Sequence, residues 1–117
     1  MDQQVAETLY LTATNLSELL VGVQLIPDGK RRRGIESALT GAIENLFSDR
    51  ILPFDKLAAL SYAQIIAKTR AAGITVSVAD GQIAAIAKVR GFSVATRDAG
   101  PFVAAGVTVI NPWTKQS

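Results

Sequence analysis

Three acidic residues in this chain stand where an α/β fold could bring them together. Glu18 lies near the start of one apolar helical segment, Asp80 lies at the start of another, and Asp98 follows the strand-like segment 92–96. In an α/β unit the helix runs antiparallel to its strands, so strand carboxyl ends and helix amino ends share one edge of the sheet. Open α/β folds bind their ligands at that edge. The positions therefore predict that the three carboxylates converge.

The chemistry open to such a cluster is restricted by the residues that the chain lacks. It contains no histidine and no cysteine, which excludes Ser–His catalysis, zinc–histidine sites and thiolate metal sites. Carboxylates gathered at one edge repel one another unless a cation neutralises them. An all-oxygen donor set suits Mg²⁺ or Mn²⁺. The residues therefore point to metal-assisted hydrolysis of a phosphodiester.

Each carboxylate also has a purely structural interpretation. Glu18 could close a capping box with Asn15, and Asp80 could favour the positive end of a helix dipole. Asp98 could open the turn before residues 100–101. Capping is a far commoner role for such residues than catalysis, so only the three acids taken together favour a site.

The composition indicates one globular domain spanning residues 1–117. The chain is 49% hydrophobic and 19% charged, and its length suffices to bury a core. A formal net charge of +2 does not by itself indicate a nucleic-acid partner. The basic run from Lys30 to Arg33 is interpreted as a solvated helix start. The apolar runs are far shorter than the ~18 residues of a membrane span and no signal-peptide pattern opens the chain, so we expect a cytoplasmic protein.

Short strands alternate with helices along the sequence. Strands are predicted at residues 9–14, 50–54, 92–96 and 107–110. Helices are predicted at residues 16–26, 30–47, 56–72 and 79–90, with Asn15 and Asp55 as N-caps and Gly73 and Gly91 as stops. This alternation predicts an α/β, three-layer-like sandwich with a mainly parallel sheet and helices on both faces.

Two helices have apolar faces whose burial can be predicted. In helix 56–72 the helical spacing predicts an inward face, made of Leu57, Leu60, Ala63, Ile66 and Ala67. The helix with the sequence LSELLVGVQLI has a strongly apolar outer face. We expect a second subunit or another protein segment to cover part of it, unless both faces pack within the monomer.

Five segments follow one another at a spacing typical of a known family: LYLTATNLSELLVGV, IPDGKRRR, RILPFD, ADGQIAAIAKVRGFSVATRD and VINPW. From Leu9 to Trp113 the chain resembles the PIN-domain ribonuclease toxins of the VapC type, near the FitB-like plasmid-stability subgroup. The resemblance implies a PIN-like fold and a Mg²⁺- or Mn²⁺-dependent endoribonuclease. It also implies neutralisation by a cognate antitoxin and a homodimeric state.

The resemblance assigns roles to individual residues. The glutamate of the family's SEL-type motif falls on Glu18, the aspartate of its DxxIAA motif on Asp80, and the acidic or amide residue after TR on Asp98. These three would hold the metal and activate a water that attacks an RNA phosphate. The hydroxyl of Thr96 would orient that water or a metal ligand. Arg97, with the basic run 30–33, would hold the RNA backbone.

One element of the family is not found in the sequence. PIN-domain relatives begin with a central strand of the LLDTN kind, whose aspartate is the first metal ligand, whereas residues 1–12 resemble the tail of the helix that follows it. We therefore expect the first central strand to be absent. The alternative function is a truncated PIN module that keeps the antitoxin-binding and dimer surfaces without a complete metal site. A phospho-receiver ranks last, because no aspartate ends an early strand and no lysine follows a late one.

Overall fold

The computed structural model describes residues 10–96 and 98–110. Helices and strands alternate in the order β1 (Leu11–Thr12), α1 (Ala13–Gln24), α2 (Lys30–Ala42), a π-helical turn (Ile43–Phe47), β2 (Ile51–Leu52), α3 (Lys56–Ala71), α4 (Val78–Arg90), β3 (Val94–Ala95), α5 (Gly100–Ala104) and β4 (Val109–Ile110). The four predicted strand segments are confirmed in position. Each contains only two paired residues.

The chain divides between Leu52 and Pro53 into two compact units. In the first unit β1 pairs in parallel with β2, with Leu11 opposite Ile51. In the second unit β3 pairs in parallel with β4, with Val94 opposite Val109. The predicted parallel pairing is therefore confirmed within each unit, and a single domain over residues 1–117 stays a prediction.

The start of α1 differs from the prediction. Thr12 is the N-cap: its Oγ1 accepts a hydrogen bond from the Asn15 amide at 2.9 Å. In return the Asn15 Oδ1 accepts hydrogen bonds from the Thr12 hydroxyl at 2.7 Å and from the Thr12 amide at 3.4 Å. This reciprocal capping box satisfies the first helical amides. The helix consequently begins at Ala13, and the strand predicted over residues 9–14 is shortened.

Two predictions about this region were therefore wrong. Asn15 is the third residue of the helix rather than its N-cap, and it forms the capping box with Thr12 instead of Glu18. The physical reason is that both Thr12 and Asn15 can cap a helix, and only the box they form together satisfies amides at both positions.

The predicted helix over residues 30–47 is confirmed as α2 followed directly by the π-helical turn Ile43–Phe47. The basic residues at its start are mostly exposed to solvent. Arg33 lies 4.0 Å from a carboxylate oxygen of Asp28, and Arg32 lies 4.0 Å from one of Glu36. The interpretation of this run as a solvated helix start is confirmed.

The ends of α3 agree with the prediction, and its buried face does not. The Asp55 side chain caps the helix by accepting a hydrogen bond from the Ala58 amide at 3.0 Å, and Gly73 follows with a left-handed φ of 75°. The predicted inward residues Leu57 and Leu60 are 60% and 56% exposed. The buried side chains of α3 are instead those of Ala58, Ile65 and Thr69. The predicted face was chosen by hydrophobicity alone, whereas the buried face is set by tertiary packing, which for α3 is mainly against α4.

Of the predicted inward residues, Ile66 alone is partly buried, and Ala63 and Ala67 are exposed.

Helix α4 forms the centre of the second unit's core. It is capped by Ser77 and ends at Gly91, whose φ is 72°. Five consecutive residues, Ile83–Ala87, are buried, so α4 is covered on more than one face. The core is completed by Phe102, Ala105 and Val107.

Candidate active site

Glu18 lies in the second turn of α1, shortly after the carboxyl end of β1. Its side chain is exposed. Because Thr12 and Asn15 form the capping box, Glu18 has no capping role. Within residues 10–96 and 98–110 its carboxylate forms no ion pair or hydrogen bond. Its structural interpretation as a capping residue is thus removed.

Asp80 is the third residue of α4 and is partly buried. The cap of this helix is Ser77, whose Oγ accepts a hydrogen bond from the Asp80 amide at 3.1 Å. The carboxylate itself has no hydrogen-bond or ion-pair partner in the described part of the chain. A negative charge at this position stabilises the helix, because it lies at the positive amino end of α4.

Asp98 and Thr96 form a small turn just after β3. The Thr96 amide donates a hydrogen bond to the Ile110 carbonyl at 3.0 Å, which extends the β3–β4 pairing by one residue. The Thr96 Oγ1 accepts a hydrogen bond from the Asp98 amide at 3.1 Å, and the Asp98 side chain is exposed. The Thr96 hydroxyl therefore holds the backbone of Asp98 while keeping its own proton for donation. Arg97 lies outside the described residues.

The three carboxylates are distributed over both units. Glu18 belongs to the unit Met1–Leu52, and Asp80 and Asp98 belong to the unit Pro53–Ser117. Among the residues that the structure describes, no group of three or more Asp, Glu, His or Cys side chains is placed to hold a metal ion. The convergence of the three carboxylates stays a prediction. Within its own unit, each of them lies beside a strand's carboxyl end or a helix's amino end.

Sequence reasoning missed the residues that anchor the backbone at these carboxylates. Ser77 caps the helix of Asp80, and Thr12 is the N-cap of α1, with Asn15 as its partner in the capping box. The signal for Ser77 was present, because Ser77 and Asp80 have the spacing of an N-cap and the third helical residue. The contact of the Tyr62 ring with the first turn of α4 had no signal beyond the glycine at position 81.

A sequence profile of the PIN domain matches residues 1–106. The chain belongs to the PIN-domain family. This confirms the family resemblance and the PIN-like α/β fold expected from the sequence. The match covers Glu18, Asp80 and Asp98, together with Thr96.

Curated relatives of this PIN-domain protein are highly similar in sequence. It is 49% identical over 113 residues to the plasmid stability protein StbB of Pseudomonas syringae pv. tomato. It is 46% identical over 113 residues to the VapC ribonuclease Y4jK of Sinorhizobium fredii. Each alignment covers 97% of this chain and 81% of the relative.

Solved PIN-domain structures have the same fold. The crystal structure of FitAcB from Neisseria gonorrhoeae matches with a TM-score of 0.87 and 45% identity, covering 96% of this chain and 81% of that one. VapBC-5 from Mycobacterium tuberculosis, a member of the VapBC family of toxin-antitoxin systems, matches with a TM-score of 0.70 and 31% identity. That alignment covers 86% of this chain and 79% of the other. No helix in the described ranges is both long enough and apolar enough to cross a membrane.

Proposed function

We propose that this PIN-domain protein is a Mg²⁺- or Mn²⁺-dependent endoribonuclease and the toxin of a toxin–antitoxin pair. Its 46% identity to a VapC ribonuclease supports the reaction class. Its similarity to a VapBC toxin-antitoxin structure supports the antitoxin partner. An enzyme of this kind would act in the cytoplasm, where its RNA substrate is found.

The observation that carries the proposal is that the three carboxylates have no partner among the residues that the structure describes. In the described part of the chain Glu18, Asp80 and Asp98 form no ion pair and accept no side-chain hydrogen bond. Their oxygen donors are of the type that Mg²⁺ and Mn²⁺ prefer. We propose that these three residues hold the metal. When bound, the ion would supply Lewis acidity for hydrolysis of the RNA phosphodiester.

Thr96 and Arg97 would complete the proposed site, the first by positioning Asp98 and the second by neutralising charge on the RNA. Thr96 fixes the backbone of Asp98 through the 3.1 Å hydrogen bond from its amide. The hydroxyl proton of Thr96 remains free to be donated to a water molecule or a phosphate oxygen. Arg97 follows Thr96 in the sequence, and its guanidinium would neutralise phosphate charge on the RNA.

Cleavage of a fluorescent RNA with Mn²⁺ tests this proposal. Replacing Glu18 by Gln keeps the helix and removes one charge, so the cleavage rate should fall about a hundredfold or more. Glu44→Gln is the matched control, because Glu44 is an exposed helical glutamate outside the proposed site. Equal rates for Glu18→Gln and the unsubstituted chain would contradict the role of Glu18. A chain that binds an antitoxin yet neither binds Mn²⁺ nor cleaves RNA would favour the alternative, a catalytically incomplete PIN module.

The antitoxin and a second copy of the chain are the protein partners that we propose. Helix α1 exposes Leu19 and Leu20, and Leu25, which follows the helix, is exposed as well; the exposed fractions are 45%, 47% and 78%. A cleft beside it is lined by Leu20, Val23, Gln24, Glu36, Leu39 and Thr40. Apolar surface of this kind is typical of an interface. Leu20→Glu should abolish capture of the antitoxin co-expressed with the chain, and light scattering should show whether the chain is a homodimer.

A further inference from the structure

The first turn of α4, which carries Asp80, lies against the aromatic ring of Tyr62 in α3. A Cβ atom added at Gly81 would lie 2.8 Å from Tyr62 Cε1 and 3.3 Å from Tyr62 Cδ1. Cβ atoms in proteins essentially never approach another heavy atom closer than 3.0 Å. Glycine is therefore the one residue that fits at position 81 while the ring stays in place. The backbone next to Asp80 is in direct contact with an aromatic edge.

The glycine at position 81 is explained by this contact. Glycine inside a helix is unfavourable relative to alanine, because it loses more conformational freedom on folding. Gly22, Gly34 and Gly41 are also helical, and a Cβ atom at any of them would meet nothing within 4 Å. Gly81 is buried, and its missing side chain permits the close approach of α3 to α4.

The Tyr62 ring is itself held in place. It packs edge-on against Phe54, with ring centroids 5.9 Å apart and an interplanar angle of 86°. Both rings pack against the core of the second unit. On the other side of the turn, Ser77 accepts hydrogen bonds from the amides of Asp80 at 3.1 Å and Gly81 at 2.9 Å. The first turn of α4 is therefore fixed between a cap and a packed ring.

We propose that Tyr62 is a positioning residue for Asp80. Because position 81 is a glycine, the Tyr62 ring packs directly against the backbone of the first turn of α4. This contact fixes the position and orientation of that turn and therefore the position of the Asp80 carboxylate. Tyr62 acts through the backbone and touches neither metal nor RNA. This inference rests on the proposed function, in that Asp80 is taken to be a metal ligand. Residues that orient a ligand in this way commonly alter metal affinity tenfold to a hundredfold.

Five variants of the 117-residue chain test the contact. Gly81→Ala forces a methyl group into the ring, Tyr62→Leu removes the ring, and the double variant places the methyl group in the vacated space. Gly34→Ala is the matched control, since it changes a helical glycine with open space around it. Tyr62→Phe keeps the ring and should behave like the unsubstituted chain in every measurement.

The first measurement needs no metal: hydrogen exchange of the Asp80 amide, which is bonded to Ser77. Exchange at this amide should become about tenfold faster in Gly81→Ala and in Tyr62→Leu, and should return to near the original rate in the double variant. The second measurement is Mn²⁺ affinity by calorimetry. It should weaken about tenfold in each single variant and recover in the double variant. Gly34→Ala should raise the melting temperature and leave both measurements unchanged.

A Gly81→Ala chain with unchanged Asp80 exchange and unchanged Mn²⁺ affinity would overturn the proposal. The proposal would also be overturned if the effects of the two single changes on Asp80 exchange and Mn²⁺ affinity simply added in the double variant. If Gly81→Ala fails to fold, Tyr62→Leu and Tyr62→Phe make the same comparison. A separate failure is also recognisable: if Asp80→Asn binds Mn²⁺ as well as the unsubstituted chain, the proposed metal role is wrong, while the exchange measurement still decides the role of Tyr62.

Discussion

The two units bury their helices to very different extents. Helix α4 in the unit Pro53–Ser117 has six buried residues, whereas α1 in the unit Met1–Leu52 has two and α2 has none. Helix α1 also carries large apolar side chains, but several of them lie at the surface, as Leu19 and Leu20 show. The second unit therefore holds Asp80 on a helix that is packed within its core. The first unit holds Glu18 on a helix whose apolar surface is open to a partner.

The strongest test of this difference is a truncation in each unit. Phe102 is 4% exposed and lies in the core of the second unit. Phe102→Ala should lower the free energy of unfolding by about 3–5 kcal/mol, because it leaves a cavity. Leu25→Ala in the first unit should change it by less than about 0.5 kcal/mol, since that side chain is 78% exposed. Urea unfolding of both variants measures the contrast, and equal losses would contradict it.

The helix caps give a smaller effect that also differs between the units. Thr12→Ala removes a reciprocal box and should cost up to about 2 kcal/mol, whereas Ser77→Ala removes one cap hydrogen bond and should cost about 1 kcal/mol. Thr12→Ser, which keeps the hydroxyl, is the control. Thermal unfolding of the three variants ranks their losses of stability. A larger loss of stability for Ser77→Ala than for Thr12→Ala would mean that the second unit depends more on its helix cap than the first.

Replacing glycine by alanine should change the free energy of unfolding in opposite directions at two positions. Gly34→Ala should stabilise by about 0.5–1 kcal/mol, because the residue is helical and nothing lies near its Cβ. Gly91→Ala should destabilise by about 1 kcal/mol, because φ is 72° at the end of α4. The melting temperatures of the two variants check the signs. A loss of stability in Gly34→Ala would show that α2 has a packing partner at that position.

The smallest expected effects come from the ion pairs. Arg33→Gln breaks a pair whose side chains are 66% and 87% exposed and should change stability by less than about 0.5 kcal/mol. Arg90→Gln removes a 3.8 Å pair with Asp55 whose side chains are 40% and 41% exposed, and should cost slightly more, up to about 1 kcal/mol. Unfolding at low and high salt measures both. A large salt-dependent loss for Arg33→Gln would mean that the basic run already has a structural role.

The ends of the helices were the most predictable feature of the fold. Asp55 caps α3, and Gly73 and Gly91 take left-handed conformations at the helix ends, because a short acceptor side chain and a residue without Cβ satisfy terminal groups locally. The start of α1 was not predictable in this way. Thr12 and Asn15 are both suitable caps, and the choice depends on which pair of hydrogen bonds is completed.

The buried face of α3 and the geometry of the candidate site depend on contacts distant in sequence. Leu57 and Leu60 are more hydrophobic than Ala58 and Thr69, yet the smaller residues are buried. The sequence was enough to propose carboxylates as the site residues, because the chain contains no histidine or cysteine. The absence of a capping role for Glu18 could not be predicted. It depends on where α1 begins, and the helix begins directly after Thr12.

The two parallel strand pairs have a consequence for how the chain folds. Leu11 pairs with Ile51 and Val94 pairs with Val109, so the pairing in the first unit closes a loop more than twice as long as that in the second. Each doubling of loop length adds about 0.6 kcal/mol of closure entropy, and pairings between distant residues form more slowly. In refolding from denaturant the β3–β4 pair is therefore expected to form before the β1–β2 pair. Although the ribosome makes the second unit last, that unit has the shorter route to its native contacts.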